Sequence, residues 1–203
     1  MILSKRPDID RFLKQPDAGV RACVIYGRDR GVVRERAEQL ARKIVPDLDD
    51  PFGVALLTDG DIEADPAKLE GELAALSMMG GRRLVRLRLH SEKAGPDRAA
   101  DEALTAHCEG RLNPDAFYLV EAGALGRESA LRKVAEKAGE ARIIPCYEDE
   151  AGDVARMARE ALRADSVGLT SEALEIFVAR LPKERGVARQ EIERLALYIG
   201  PGS

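Results

Sequence analysis

Five short apolar runs along the chain predict β-strands, and amphipathic runs between them predict helices. The strands are expected at residues 22–26, 54–58, 84–89, 116–121 and 142–147. Strands that alternate with helices are typical of a parallel sheet covered by helices on both faces. The pattern therefore predicts an α/β protein built on a parallel five-stranded sheet with flanking helices.

The pattern of apolar positions changes after the fifth strand. Between the strands, helices are predicted at residues 29–45, 66–76, 96–109 and 127–139, whereas beyond residue 147 only helices are expected, at 151–164, 171–181 and 187–199. Thr170 is placed to cap the second of these three. We therefore expect an α/β domain over residues 1–147 and a small three-helix lid domain over residues 148–203.

The third predicted strand is less apolar than the others because arginines alternate with its aliphatic residues. This alternation predicts that one face of the strand meets solvent. A run of charges is usually a solvated face, and the functional alternative is a DNA-facing surface whose binding would weaken steeply with salt. The four arginines of this possible surface are Arg82, Arg83, Arg86 and Arg88.

Composition and charge narrow the classes of function. The chain has 203 residues, of which 45% are hydrophobic and 33% charged, as in a globular protein with a substantial core. A net charge of −4 argues against a general polyelectrolyte binder of nucleic acid. The three cysteines form no CxxC pair. This pattern fits a protein of a reducing compartment and argues against a zinc site. No signal peptide or membrane span is recognised, so we expect a cytoplasmic protein without membrane contact.

A strand, a glycine-bracketed turn and a charged helix follow one another around residue 27, in the order of a phosphate-binding loop. The two glycines are Gly27 and Gly31, with three residues between them instead of four. Such a loop needs a lysine for the phosphates and a hydroxyl for Mg²⁺ directly after its second glycine. Val32 and Val33 stand there, so the sequence predicts a degenerate phosphate loop and no bound cofactor.

Glu121 is the one candidate for the acidic residue that would organise Mg²⁺ at the end of a neighbouring strand. A single glutamate at a strand end is more often a solvated or capping residue. Together with Val32 and Val33, this makes ATP hydrolysis an unfavoured alternative. No spacing of serine, cysteine and histidine suggests a nucleophilic site, and His90 and His107 are expected to be structural or exposed.

The order of four motifs resembles the delta subunit of the bacterial DNA polymerase III clamp loader. The motifs lie at residues 24–29, at 73–85, at 119–123 with 129–133 downstream, and at 189–198. The resemblance implies a degenerate AAA+ fold, an α/β domain with a helical lid, and no ATPase activity. It also implies a third, collar domain, which is expected to be absent from a chain that stops at Ser203.

The resemblance implies a function and a set of partners. Members of the family open the ring-shaped sliding clamp, the beta subunit, by inserting apolar side chains into its hydrophobic pocket. They act together with the tau/gamma and delta prime subunits around primer-template DNA. Matched by position, the clamp-binding residues of this chain are Leu76, Met78 and Met79, and Met79 stands where the family often has a large aromatic residue.

The residues themselves support an exposed tip at this place. A helix is predicted to end at Met78 and Met79, and Gly80 and Gly81 follow, with Gly80 expected to need a positive φ. Two adjacent methionines cannot both enter one core from a helix end, so at least one is expected to face outward. The alternative is that both methionines cap the core beneath the sheet.

The sequence therefore supports three hypotheses of different classes. The first is a non-catalytic clamp-loader subunit that binds and opens the sliding clamp during DNA replication. The second is an active P-loop ATPase or small-molecule kinase with an unusual phosphate loop. The third is a DNA-binding module that uses the four arginines of the third strand.

Overall fold

The computed structural model describes residues 1–77, 80–90, 94–146, 151–182 and 185–200, with the side chains of residues 94, 151–153 and 185 left out. Within these residues the chain forms five strands. They are β1 (Ala22–Gly27), β2 (Val54–Thr58), β3 (Arg83–Leu89), β4 (Ala116–Ala122) and β5 (Ala141–Cys146).

The five strands form one parallel sheet in the order β2-β3-β4-β1-β5. All strands point the same way, so one edge of the sheet collects their amino ends and the other edge their carboxyl ends. The predicted fold class is confirmed, and each predicted strand lies within one residue of the observed one. A short parallel bridge from Ile2 to Ile143 extends the sheet beside β5.

Nine helices lie in the described part of the chain, and two of them were not predicted. The first omission is α1 (Arg6–Lys14), whose buried residues Ile9, Phe12 and Leu13 have helical spacing. The second is the short α3 (Asp59–Ala64), where the Asp61 carboxylate accepts hydrogen bonds from Thr58 N and Oγ. The remaining helices are α2 (Arg30–Ile44), α4 (Lys68–Ala74), α5 (Ala94–Cys108), α6 (Ala130–Lys137), α7 (Ala151–Ala164), α8 (Ser171–Arg180) and α9 (Arg185–Ile199).

The chain divides into two compact units. The first contains Met1–Arg28 and Val33–Cys146, and the second contains Asp29–Val32 and Tyr147–Ser203. In the first unit, one face of the sheet packs against α3, α4, α5 and α6 through a core of aliphatic side chains around Tyr118. In the second unit, α7 packs against both α8 and α9, and Thr170 Oγ caps α8 as predicted by accepting from Ala173 N at 3.2 Å.

The prediction that one face of the third strand meets solvent is wrong. Six of the seven residues of β3 are buried, and Arg88 is half-buried. The edges of the strand pair with β2 and β4, and side chains of both alternating sets are buried, so both of its faces are covered. In the described part of the chain, no helix is long and apolar enough to cross a membrane.

His107 is fully buried on α5, where its Nε2 donates to the carbonyl oxygen of Ala116 at the start of β4, at 3.1 Å. Burial lowers the pKa of His107 from its ordinary value of 6.5, and the charges of Arg21 and Arg82 act in the same direction. The hydrogen bond to the Ala116 carbonyl opposes this shift. The imidazole is therefore a neutral, structural group, as the sequence suggested.

We expect the free energy of unfolding to fall as the pH drops below about 6.5, because the unfolded chain then binds a proton that the folded His107 resists. Above that pH both states hold a neutral imidazole and His107 adds no pH dependence. Urea titrations at pH 7.5 and 5.5 measure the effect, and His107→Gln should reduce the difference between the two pH values. His90→Gln, at the exposed histidine, is the matched control; an equal reduction in both variants would contradict the assignment.

Candidate functional site

The loop between α4 and β3, residues 75–82, carries the predicted tip. Helix α4 buries Leu69 and Leu73 and ends at Ala74, so the predicted helix end at Met78 and Met79 is wrong. Leu76 follows the helix with 74% of its surface exposed. Met78 and Met79 lie outside the described residues, so their place at the tip stays a prediction.

Asn113 fixes the base of this α4–β3 loop. Its backbone N donates to the carbonyl oxygen of Leu73 at 3.2 Å, and its Nδ2 donates to the carbonyl oxygen of Ala75 at 2.7 Å. The Oδ1 atom accepts from Asp115 N at 3.0 Å, directly before β4. One buried asparagine thus donates, from its backbone and its side chain, to two carbonyl groups that the end of α4 leaves without helical partners. It holds the residues on either side of Ala74 against the sheet.

Arg83, the first residue of β3, is the second anchor of the loop. Its buried guanidinium donates from Nε to the carbonyl oxygen of Glu72 at 3.2 Å and pairs with the Glu72 carboxylate. It also donates from Nη1 to the carbonyl oxygen of Phe52 at 2.6 Å. A single side chain therefore joins the end of α4, the start of β3 and the turn before β2.

The return path of the loop depends on two glycines. Gly80 and Gly81 have φ values of 78° and 83°, in the left-handed region that side chains with a Cβ rarely adopt. The positive φ predicted at Gly80 is confirmed. Ser77 and Gly80 are joined twice, by Gly80 N to the Ser77 carbonyl at 3.3 Å and by Ser77 Oγ to the Gly80 carbonyl at 3.0 Å.

The opposite edge of the sheet holds the degenerate phosphate loop. Strand β1 ends at Gly27, where a Cβ atom would lie 2.3 Å from the carbonyl oxygen of Cys146 on β5. This glycine is therefore required by the packing of two strands, and its presence needs no bound phosphate. Val32 and Val33, which replace the lysine and the hydroxyl, are both buried.

Asp29 occupies the backbone amides that a phosphate would use. Its Oδ1 accepts from Gly31 N at 2.8 Å and from Val32 N at 3.2 Å, at the first turn of α2. A carboxylate at a helix amino end is stabilised by the same amides and the same dipole that bind anions. The chain thus supplies its own anion at this place.

Glu121, the candidate for organising Mg²⁺, is buried near the carboxyl end of β4 with 6% of its surface exposed. Its Oε1 accepts from Arg86 Nε at 2.9 Å, and its Oε2 lies 3.4 Å from Arg88 Nε. The expectation that Glu121 is a solvated or capping residue is therefore wrong. The two guanidiniums already neutralise the carboxylate charge that a metal ion would bind.

The four arginines proposed as a DNA-facing surface do not form one exposed face. Arg83 and Arg86 are buried in the contacts described above, and Arg88 is held by Glu121. Arg82 is half-buried, lies 5.3 Å from the ring centre of Phe117 and donates to the Val20 carbonyl at 3.2 Å. Burial lowers the pKa of Arg82. Direct DNA contact through these residues stays a prediction, and their described partners weigh against it.

No cluster of three or more histidine, cysteine, aspartate or glutamate side chains suited to a metal ion is found where the structure describes the chain. The three cysteines are free thiols. Burial raises the pKa of Cys108 to about 11 and raises that of Cys23 further. Neither thiol is therefore a ready nucleophile at neutral pH.

The fold and this arrangement can be compared with known proteins. No family profile and no curated protein sequence matches the chain. Among solved structures, the clamp loader delta protein YqeN of Bacillus subtilis is similar, with a TM-score of 0.64, 20% identity, and coverage of 95% of this chain and 57% of that one.

Two proteins of Thermotoga maritima share the fold more distantly. Domain III of the replication initiation protein DnaA matches with a TM-score of 0.57 and 13% identity, over 94% of this chain and 80% of that one. A variant of RuvB matches with a TM-score of 0.54 and 14% identity, over 92% and 57%.

These similarities show that the chain shares the fold of these three proteins. The resemblance to clamp-loader delta, found first in the sequence motifs, is confirmed at the level of the fold. The chain spans little more than half the length of the delta protein that it matches. Identities of 13–20% show a shared fold, and the activities of the whole relatives do not transfer with it.

Replacing Arg86 by Met should lower the free energy of unfolding by about 3–5 kcal/mol, because it leaves the Glu121 carboxylate buried with only Arg88 near it. The double variant Arg86→Met/Glu121→Leu should recover most of this loss. Denaturant unfolding of both variants measures the effect. Arg98→Met breaks an exposed pair with Glu102 and should leave the stability close to that of the wild type. A small loss in the Arg86 variant would contradict the buried pair.

Proposed function

We propose that this protein is a non-catalytic clamp-loader subunit that binds and opens the sliding clamp during DNA replication. The observation that carries the proposal is Leu76, a large apolar side chain that is exposed next to a loop base held by hydrogen bonds. Asn113 and Arg83 hold the base of the α4–β3 loop at 2.7–3.2 Å. A rigid base beneath an apolar side chain is suited to insertion into a pocket of another protein.

The side chains at the carboxyl edge of the sheet support a role that involves no binding or hydrolysis of a nucleotide. Asp29 fills the amides at the start of α2, and Glu121 is paired with Arg86 and Arg88. The positions that would carry the lysine and the hydroxyl are aliphatic and buried. Each group that a P-loop enzyme devotes to its substrate is thus either replaced or already bonded within the chain.

The same proposal includes partners and domain roles. The fold shared with a clamp loader delta protein supports membership of a loader complex, with tau/gamma and delta prime as neighbouring subunits and primer-template DNA in the assembled particle. Residues 1–147 would form the clamp-binding domain and residues 148–203 the lid.

Binding to the sliding clamp of the same organism tests the proposal directly. Leu76→Ala and the pair Met78→Ala/Met79→Ala should each weaken binding at least tenfold, since burying one such side chain contributes about 1.5–3 kcal/mol. Surface plasmon resonance measures the Kd. Leu197→Ala removes a leucine that is also exposed, at 84%, from α9 and should leave the Kd unchanged. Equal binding by all variants, with the fold intact, would refute the assigned tip.

Titration calorimetry distinguishes the proposal from the P-loop enzyme alternative. We expect no binding of Mg·ATP, because the Asp29 carboxylate already accepts from Gly31 N and Val32 N. An AAA+ ATPase measured in the same buffer is the positive control. Micromolar affinity of this chain for Mg·ATP would favour the ATPase or kinase alternative.

A further inference from the structure

A second exposed apolar side chain lies beside the α4–β3 loop. Phe52 stands in the turn of residues 50–53 that leads into β2, and 53% of its surface is exposed. All four phenylalanines of the chain are among the described residues. Phe12 and Phe117 are buried in the first unit, and Phe177 packs against the core of the second unit. Phe52 is thus the one phenylalanine of the four whose ring remains largely in solvent.

The turn that carries Phe52 is held tightly by Asp50. The Asp50 carboxylate accepts from Phe52 N at 2.9 Å, and the Asp50 carbonyl accepts from Val54 N at 2.9 Å. A Cβ atom on Gly53 would lie 2.7 Å from Asp50 Oδ2, so the missing side chain makes room for the carboxylate. The backbone beneath Phe52 is therefore fixed while its ring stays in water.

The sheet places this turn next to the candidate tip. Strands β2 and β3 are parallel neighbours, with Val54 opposite Leu84, and Leu84 N donates to the Gly53 carbonyl at 2.8 Å. The turn before β2 and the loop before β3 therefore leave the same edge of the sheet side by side. The Arg83 guanidinium joins them, since it bonds the Phe52 carbonyl and the Glu72 carbonyl together.

We propose that Phe52 belongs to the same docking surface as Leu76 and supplies an aromatic side chain to the apolar site of the sliding clamp. This inference rests on the proposed function, which assigns the clamp as the partner of the neighbouring Leu76. Aromatic rings on a fixed backbone are favoured at binding hot spots, since they bury much surface for few rotatable bonds.

The test compares the Kd of the whole chain for the sliding clamp of the same organism among four variants. Phe52→Ala should weaken binding roughly 5- to 30-fold, as truncation of an interfacial aromatic side chain does. Phe52→Leu should retain part of the affinity, and Leu76→Ala should weaken binding as proposed above. Leu56→Ala is the local control, because Leu56 is 49% exposed on β2 but lies further along the strand, away from the loop. Its Kd should equal that of the wild type.

The outcomes separate the inference from the function on which it rests. If Leu76→Ala weakens binding and Phe52→Ala does not, the inference is refuted and the proposed function stands. If Phe52→Ala and Leu56→Ala weaken binding equally, the inference is also refuted, since the effect then belongs to the sheet edge in general. If the wild-type chain does not bind the clamp, both fail. Thermal unfolding should give the same Tm for Phe52→Ala and wild type, because the ring is not in the core.

Discussion

The Arg83 guanidinium is the group on which the candidate docking surface depends. It is buried at the first residue of β3, and its donors meet the Phe52 carbonyl, the Glu72 carbonyl and the Glu72 carboxylate. A planar guanidinium can satisfy three separate acceptors in a fixed geometry, which the single ammonium of a lysine cannot do. Because β3 is an inner strand, Arg83 attaches both the α4–β3 loop and the turn before β2 to a rigid part of the sheet.

The two edges of the sheet have opposite characters. At the carboxyl edge, where P-loop proteins bind phosphate, the chain satisfies its own polar groups through Asp29, Arg86 and Glu121. At the amino edge, Arg83 and Asn113 donate to nearby carbonyl groups, and the apolar side chains of Phe52 and Leu76 remain in water. The exposed side chains of Phe52 and Leu76 thus lie at the edge of the sheet opposite Gly27.

The strands could be predicted to within one residue because buried parallel strands form nearly continuous apolar runs. The aliphatic residues at the positions of the lysine and the hydroxyl were also visible, since Val32 and Val33 are read directly from the sequence, and the structure buries both. Helix α1 was missed although the spacing of its buried residues was present in the sequence. Helix α3, with six residues, is too short for periodicity to identify.

The anchors of the site could not be predicted because their partners are far apart in sequence. Arg83 bonds a carbonyl 31 positions away, Asn113 one 38 positions away, and Arg86 a carboxylate 35 positions away. The alternation of arginine and aliphatic residues along β3 therefore suggested a solvent-exposed face. The fold instead places these arginines in internal ion pairs. The end of α4 was misplaced for the same reason. Leu76 continues the helical spacing of Leu69 and Leu73, but Asn113 takes the carbonyls of Leu73 and Ala75.

A fixed base changes what a few exposed side chains can achieve. Association costs free energy for each segment that must be ordered, so a loop that is already ordered loses less on binding. Asn113, Arg83 and the left-handed Gly80 and Gly81 order the approaches to the tip before any partner is present. Two or three apolar side chains on such a base can dominate the affinity although the area they bury is small. Leu76 and Phe52 are the exposed apolar side chains that stand next to these hydrogen bonds.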